Sequence, residues 1–184
     1  DWIRDGGVLI ATRDAASWAQ DTFYAGDEDE DAERDEDEDD TESEPERIDF
    51  SAMAIRDAED VIGGAIFAAD LDTSHPLGFG FANRFLPVHR NESFTLNRPD
   101  DNPYAVPVQY VDEPLLTGYA SERRLEELGG TPSVVAQRMG SGAIILMADN
   151  PVFRGTYPGT EKLLMNAIFF SRLIDRPRSD REAE

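Results

Sequence analysis

Apolar residues in this chain fall into short, nearly unbroken runs set apart by glycine, proline and charge. Val8-Leu9-Ile10-Ala11-Thr12, Ala65-Ile66-Phe67-Ala68-Ala69 and Ala143-Ile144-Ile145-Leu146-Met147-Ala148 are short and lack a polar face, which predicts strands covered on both sides. Trp2-Ile3 followed by Arg4-Asp5-Gly6-Gly7 reads as the last turn of a helix ended by glycine. Short helices are expected at Ala15 to Ala19, at Met53 to Glu59, and at Glu122 to Leu128, where Gly129-Gly130 ends the last. Met139-Gly140-Ser141-Gly142 joins the run Val134 to Arg138 to the one starting at Ala143, a glycine-rich connection suited to an antiparallel hairpin. From Arg84 to Tyr119, alternating pieces such as Phe85-Leu86-Pro87-Val88 are mixed with Pro99, Pro103, Pro107 and Pro114, which favours edge strands and loops. The segment from Thr160 to about Ile174 is apolar on nearly every face, as in a helix held between a sheet and a second surface. Apolar strands alternating with helices predict an α/β fold: a three-layer, largely parallel sheet with helices on both faces and an antiparallel edge hairpin.

Length and charge refine that picture. A chain of 184 residues with 40% apolar content can bury one sizeable core, so a single domain is expected over residues 1–176, with a polar tail at 177–184. The opening helical turn is too short to stand alone, and the chain reads as a piece whose first elements lie upstream of Asp1. Between Asp27 and Glu46 there are fifteen carboxylates and one Arg, so this run carries −14 of the net charge of −22 and leaves −8 on the other 164 residues. A stretch that repels itself and has nothing apolar to bury predicts a solvated, disordered insertion at 27–46. The chain has no basic stripe to release phosphate counterions, which argues against nucleic acid as a partner. A membrane span is not expected either, because the longest apolar stretch, Leu163 to Ile174, is interrupted by Asn166, Ser171 and Arg172. With no cysteine, disulfides, thiolate nucleophiles and cysteine-based zinc sites drop out together.

The remaining chemistry is sparse. Zinc prefers several His or Cys ligands, and only His75 and His89 are available, fourteen residues apart in irregular segments, so no metal site is expected. The acidic run could gather calcium loosely, but it lacks the turn glycine of an EF-hand loop. No GxSxG elbow occurs; Ser141 fits a hairpin turn, and the glycine pairs lack the pattern of a phosphate loop. Asp70, Asp72, Thr73, Ser74 and His75 crowd the carboxyl end of a predicted strand, the place where open α/β sheets put ligands. Asn150 and Arg154 also follow a strand and could reach the same crevice. The candidate ligand-binding set is therefore Asp72, Ser74, His75, Asn150 and Arg154, with no catalytic residue assigned. Four of these have a structural alternative: turn-making for Asp72, Ser74 and His75, and for Arg154 an ion pair with Asp72 or Asp149. Asn166, in the apolar last helix, could serve as a binding group, but a buried amide that ties the helix to a loop carbonyl is the favoured reading.

Three blocks taken together, DGGVLIAT, GAIFAADLDTSHPLGFGF and GSGAIILMADNPVFRGTYPGTEKLLMNAIFF, resemble the region that follows the catalytic domain in a group of bacterial zinc carboxypeptidases. That region is similar in fold to class I glutamine amidotransferases. The resemblance implies a secreted or periplasmic parent that removes C-terminal residues from peptides, using zinc held by a catalytic domain of the same polypeptide. It implies a flavodoxin-like, amidotransferase-like fold for this piece and a non-catalytic accessory role. Amidotransferase chemistry does not carry over, since it needs a Cys nucleophile and this chain has none. The zinc ligands of the carboxypeptidases map onto no residue here. A ligand-binding module for a peptide carboxylate or sugar is the alternative, and a stand-alone Ser/His hydrolase built on Ser74 and His75 comes third.

Overall fold

A computed structural model of the chain describes residues 1–24, 49–53, 61–99 and 102–174. The acidic run at 27–46, nearly all of the helix expected at 53–59, and the tail at 177–184 lie outside the described residues. Six strands form one sheet: β1 (Val8–Thr12), β2 (Ala65–Leu71), β3 (Phe85–Arg90), β4 (Val108–Thr117), β5 (Pro132–Met139) and β6 (Gly142–Met147). Their spatial order is β1-β6-β5-β4-β2-β3. The helices are α1 (Asp14–Phe23), α2 (Glu122–Leu128) and α3 (Pro158–Phe170). No helix among the described residues is long and apolar enough to cross a membrane.

The apolar runs form strands because each supplies both faces of the sheet. In β6 and the residue after it, Ala143, Ile145 and Met147 join one cluster with Leu163 and Ala167 of α3. Ile144, Leu146 and Ala148 join a second cluster with Ala16 and Ala19 of α1. Alternation along a strand sends neighbours to opposite faces, so this one hexapeptide needs a helix on each side. Helices on both faces are indeed present. Alanines on α1 let its backbone lie close to the sheet, while α3 contributes larger side chains on the other face.

The sheet departs from the sequence reading in its direction. Only β1 and β6 pair in parallel; the four other pairings are antiparallel. The β5–β6 hairpin also sits inside the sheet, between β1 and β4, and the edges are β1 and β3. Apolar runs report burial on two faces and carry no information about the direction of the neighbour, which is why the expected largely parallel sheet fails. Direction comes from the connections. Gly140, at φ 60°, and Ser141 form a two-residue turn between paired Met139 and Gly142, a link too short for anything but an antiparallel return. Gly142 is needed for a different reason: a Cβ there would run into the carbonyl oxygens of Ile3 and Gly7.

The prolines sit where the ladder tolerates them. Pro87 lies in edge strand β3, and Pro114 lies in a part of β4 that has run past the end of β5, with which β4 pairs only at Val108 and Gln109. The sheet curls so that β3 comes back to the loop after β6. The Asn150 amide, just beyond β6, donates to the His89 carbonyl of β3 at 3.3 Å, although β5, β4 and β2 separate those strands in the ladder.

Candidate functional site

The expected crevice divides into two places. At the end of β2, the Asp72 carboxylate accepts from both the Ser74 amide (2.9 Å) and the Ser74 hydroxyl (2.6 Å). These bonds, the Ser74 hydroxyl first, hold the Asp72 carboxyl below its ordinary value. His75 Nδ1 accepts from the Leu77 amide at 3.1 Å and so caps a short 3-10 turn at Pro76–Gly78. Burial lowers the His75 pKa, with the Asp72 charge pulling the other way, so the imidazole is neutral and its Nδ1 is an acceptor. Ser74 and His75 therefore bond to different partners and make no nucleophile–base pair with each other. One side chain reaches this loop from α3: the Asn166 amide donates to the carbonyls of Leu77 (2.7 Å) and Phe79 (3.0 Å). The expectation for Asn166 holds.

Asn150 and Arg154 lie on the loop after β6. Asn150 turns its side chain back to accept from the Val152 amide at 3.1 Å. Arg154 has a left-handed backbone, at φ 54°, and its exposed guanidinium lies 4.9 Å over the Phe153 ring. Among the described residues, no hydrogen bond or ion pair joins Asp72, Ser74 or His75 to Asn150 or Arg154. The ion pair offered to Arg154 goes elsewhere. Asp149 belongs to Arg90, Tyr110 and Ser133.

That buried cluster is the densest polar arrangement in the described fold. Asp149 accepts from the Tyr110 hydroxyl (2.6 Å) and the Ser133 hydroxyl (2.6 Å), and one guanidinium nitrogen of Arg90 lies 3.5 Å away. The same nitrogen of Arg90 bonds the Tyr110 hydroxyl at 3.0 Å, and its other terminal nitrogen donates to the Phe94 carbonyl. Arg90, Tyr110 and Ser133 are at most 1% exposed. Burial drives the Asp149 carboxyl above its ordinary value against the pull of Arg90, Ser133 and Tyr110, and burial also pushes the Tyr110 phenol well up. Buried as they are, these groups hold the ends of β3, β4, β5 and β6 in one place. A charge at the end of each of two apolar runs, Arg90 and Asp149, was the available signal in sequence; their separation by 59 residues hid the pairing.

His89, beside Arg90, faces the other way. Its ring stacks on Phe153 with centroids 3.6 Å apart and planes 5° from parallel, and Tyr157 lies at 6.2 Å. Close by, Arg13 at the end of β1 pairs with Glu92 at 2.5 Å. His75 thus lies on the loop after β2 and His89 in strand β3. Among the described residues, no three His, Asp or Glu side chains converge to hold a metal ion.

No protein-family model, curated protein or solved structure matches the chain.

Proposed function

We propose that this chain is a non-catalytic accessory domain of a bacterial zinc metallocarboxypeptidase, joined to a catalytic domain in the same polypeptide that holds the zinc and removes C-terminal residues from peptides. The observation that carries the reading is how its reactive side chains are used. The Ser74 hydroxyl is bonded to Asp72, His75 Nδ1 to the Leu77 amide, and Asp149 to Ser133, Tyr110 and Arg90, all within the fold. A catalytic site keeps such groups aimed at a space where a reacting atom can sit. The three sequence blocks supply the context, and a secreted or periplasmic setting goes with them. The same reading assigns the fold to the flavodoxin-like, amidotransferase-like domains; the parallel β1–β6 pair and the helices on both faces support that, and the antiparallel half of the sheet is a departure.

On this reading, the outer face of α3 meets the catalytic domain. Met165, Ile168 and Phe169 are exposed on it, with Leu173 just beyond and Phe79 alongside, while Lys162 and Arg172 flank the stripe. Clustered apolar exposure of this kind marks an interaction surface. The alternative, a pocket for a peptide carboxylate or sugar, has less support because the side chains offered for it are split between two loops and largely bonded within them.

The test uses the longer polypeptide. Phe169→Glu is expected to leave the melting temperature of this chain alone nearly unchanged, yet to speed proteolytic separation of the chain from the rest of the polypeptide. Equal cleavage rates in variant and wild type would count against the docking face. A longer polypeptide with neither bound zinc nor peptide release would remove the carboxypeptidase reading altogether.

A further inference from the structure

We propose that the His89–Phe153 stack is an acid-operated latch on the seam between edge strand β3 and the loop after β6. The inference is independent of the carboxypeptidase reading. Beside the buried Arg90–Asp149 pair, two further contacts close the seam: the Asn150 amide reaches the His89 carbonyl at 3.3 Å, and Phe153 lies flat on the His89 ring at 3.6 Å. His89 is 8% exposed, and its Nδ1 has no hydrogen-bond partner. A neutral ring tolerates that environment, because it behaves much like a second aromatic face. Protonation changes the balance: both nitrogens become donors, and although the backbone carbonyl of His89 itself favours the charge, desolvation of the buried ring outweighs it.

The charged groups around the ring do not compensate. Arg154, on the same loop as Phe153, and Arg13, at the end of β1, both disfavour a further positive charge. Asp149 favours it, but its carboxylate is already shared among Ser133, Tyr110 and Arg90. Glu92, the other carboxylate on this side, is bound to Arg13. Arg90 points into the opposite cluster, and Tyr157 offers only its ring edge at a tilt. Desolvation, opposed by Asp149, accordingly lowers the His89 pKa. An imidazolium regains water by leaving Phe153, which releases the strained Arg154 backbone and frees the 150–155 loop from β3.

NMR of the intact chain tests this, because its two histidine rings are separable. Between about pH 8 and 5, the His89 ring signal is followed together with hydrogen-exchange protection of the Asn150 amide. The expected result is a His89 midpoint below 6.5, with protection of Asn150 falling about tenfold for each unit by which the midpoint is depressed. His89→Phe keeps a stacking ring that cannot charge, so its Asn150 protection should be flat with pH. Should that variant fail to fold, Phe153→Leu serves instead, moving the His89 midpoint up toward 6.5 and weakening the coupling. Flat protection in the wild type overturns the latch. So does an unchanged inflection in His89→Phe, or ring contacts between His89 and Phe153 that persist once His89 is charged.

Discussion

Asp149 shows what a single residue decides in this fold. It is buried and ionisable, and it takes two hydroxyl donors and a guanidinium from three other strands. Removing one partner of such a pair leaves the other charge without compensation, which costs about 3–5 kcal/mol. Arg90→Met is therefore expected to lower unfolding free energy by about that amount in urea titrations. Adding Asp149→Leu to it should recover part of the loss, since no uncompensated charge remains. If Arg90→Met unfolds at the wild-type urea concentration, the cluster contributes nothing to the fold. From sequence, Asp149 was visible as a candidate partner for Arg154 and the wrong arginine was chosen. Ion pairing depends on which chain ends meet in space, and Arg90 and Asp149 meet only because β3 and the loop after β6 close the curl.

Among the elements, α3 carries the sharpest contrast. Its inner side uses Asn166 to satisfy two carbonyls of the 77–79 turn, and its outer side exposes Met165, Ile168 and Phe169. Asn166→Leu removes two donors and leaves carbonyls short of partners, so a loss of about 1–3 kcal/mol is expected in thermal unfolding. Met165→Glu on the outer side should stay within about 0.5 kcal/mol of the wild type in the chain alone. Equal effects from the two would mean that the helix faces are misassigned. The all-round apolar pattern of this helix was legible, as were the α2 boundaries and the β5–β6 hairpin, because local periodicity, Gly129 and the Gly140-Ser141 turn encode them. The position of that hairpin inside the sheet was not. Nothing local in Val134 to Ala148 tells which strand will lie on its far side.

For the whole molecule, both histidines report on acid stability. Burial lowers the pKa of both His75 and His89 below the ordinary imidazole value of 6.5. The unfolded chain then takes up protons first as the pH falls, so stability is full above about 6.5 and declines below it toward the folded-state values. Melting temperatures measured from pH 7.5 downward should begin to fall near about 6.5, ahead of the range where carboxylates titrate. His75→Asn combined with His89→Phe should postpone that fall to the carboxylate range. At this scale the turn-making use of Asp72, Ser74 and His75 was legible, because those contacts reach only two residues along the chain, whereas the division of the candidate set between two loops was not, because it depends on strand direction. The central claim is that these side chains serve the fold and that chemistry belongs to another domain. Incubating the purified chain with blocked peptides bearing a free C-terminal residue, with and without added zinc, and measuring amino-acid release tests it most directly. The account predicts release no faster than in buffer under either condition; chelator-sensitive release by the chain itself would contradict it.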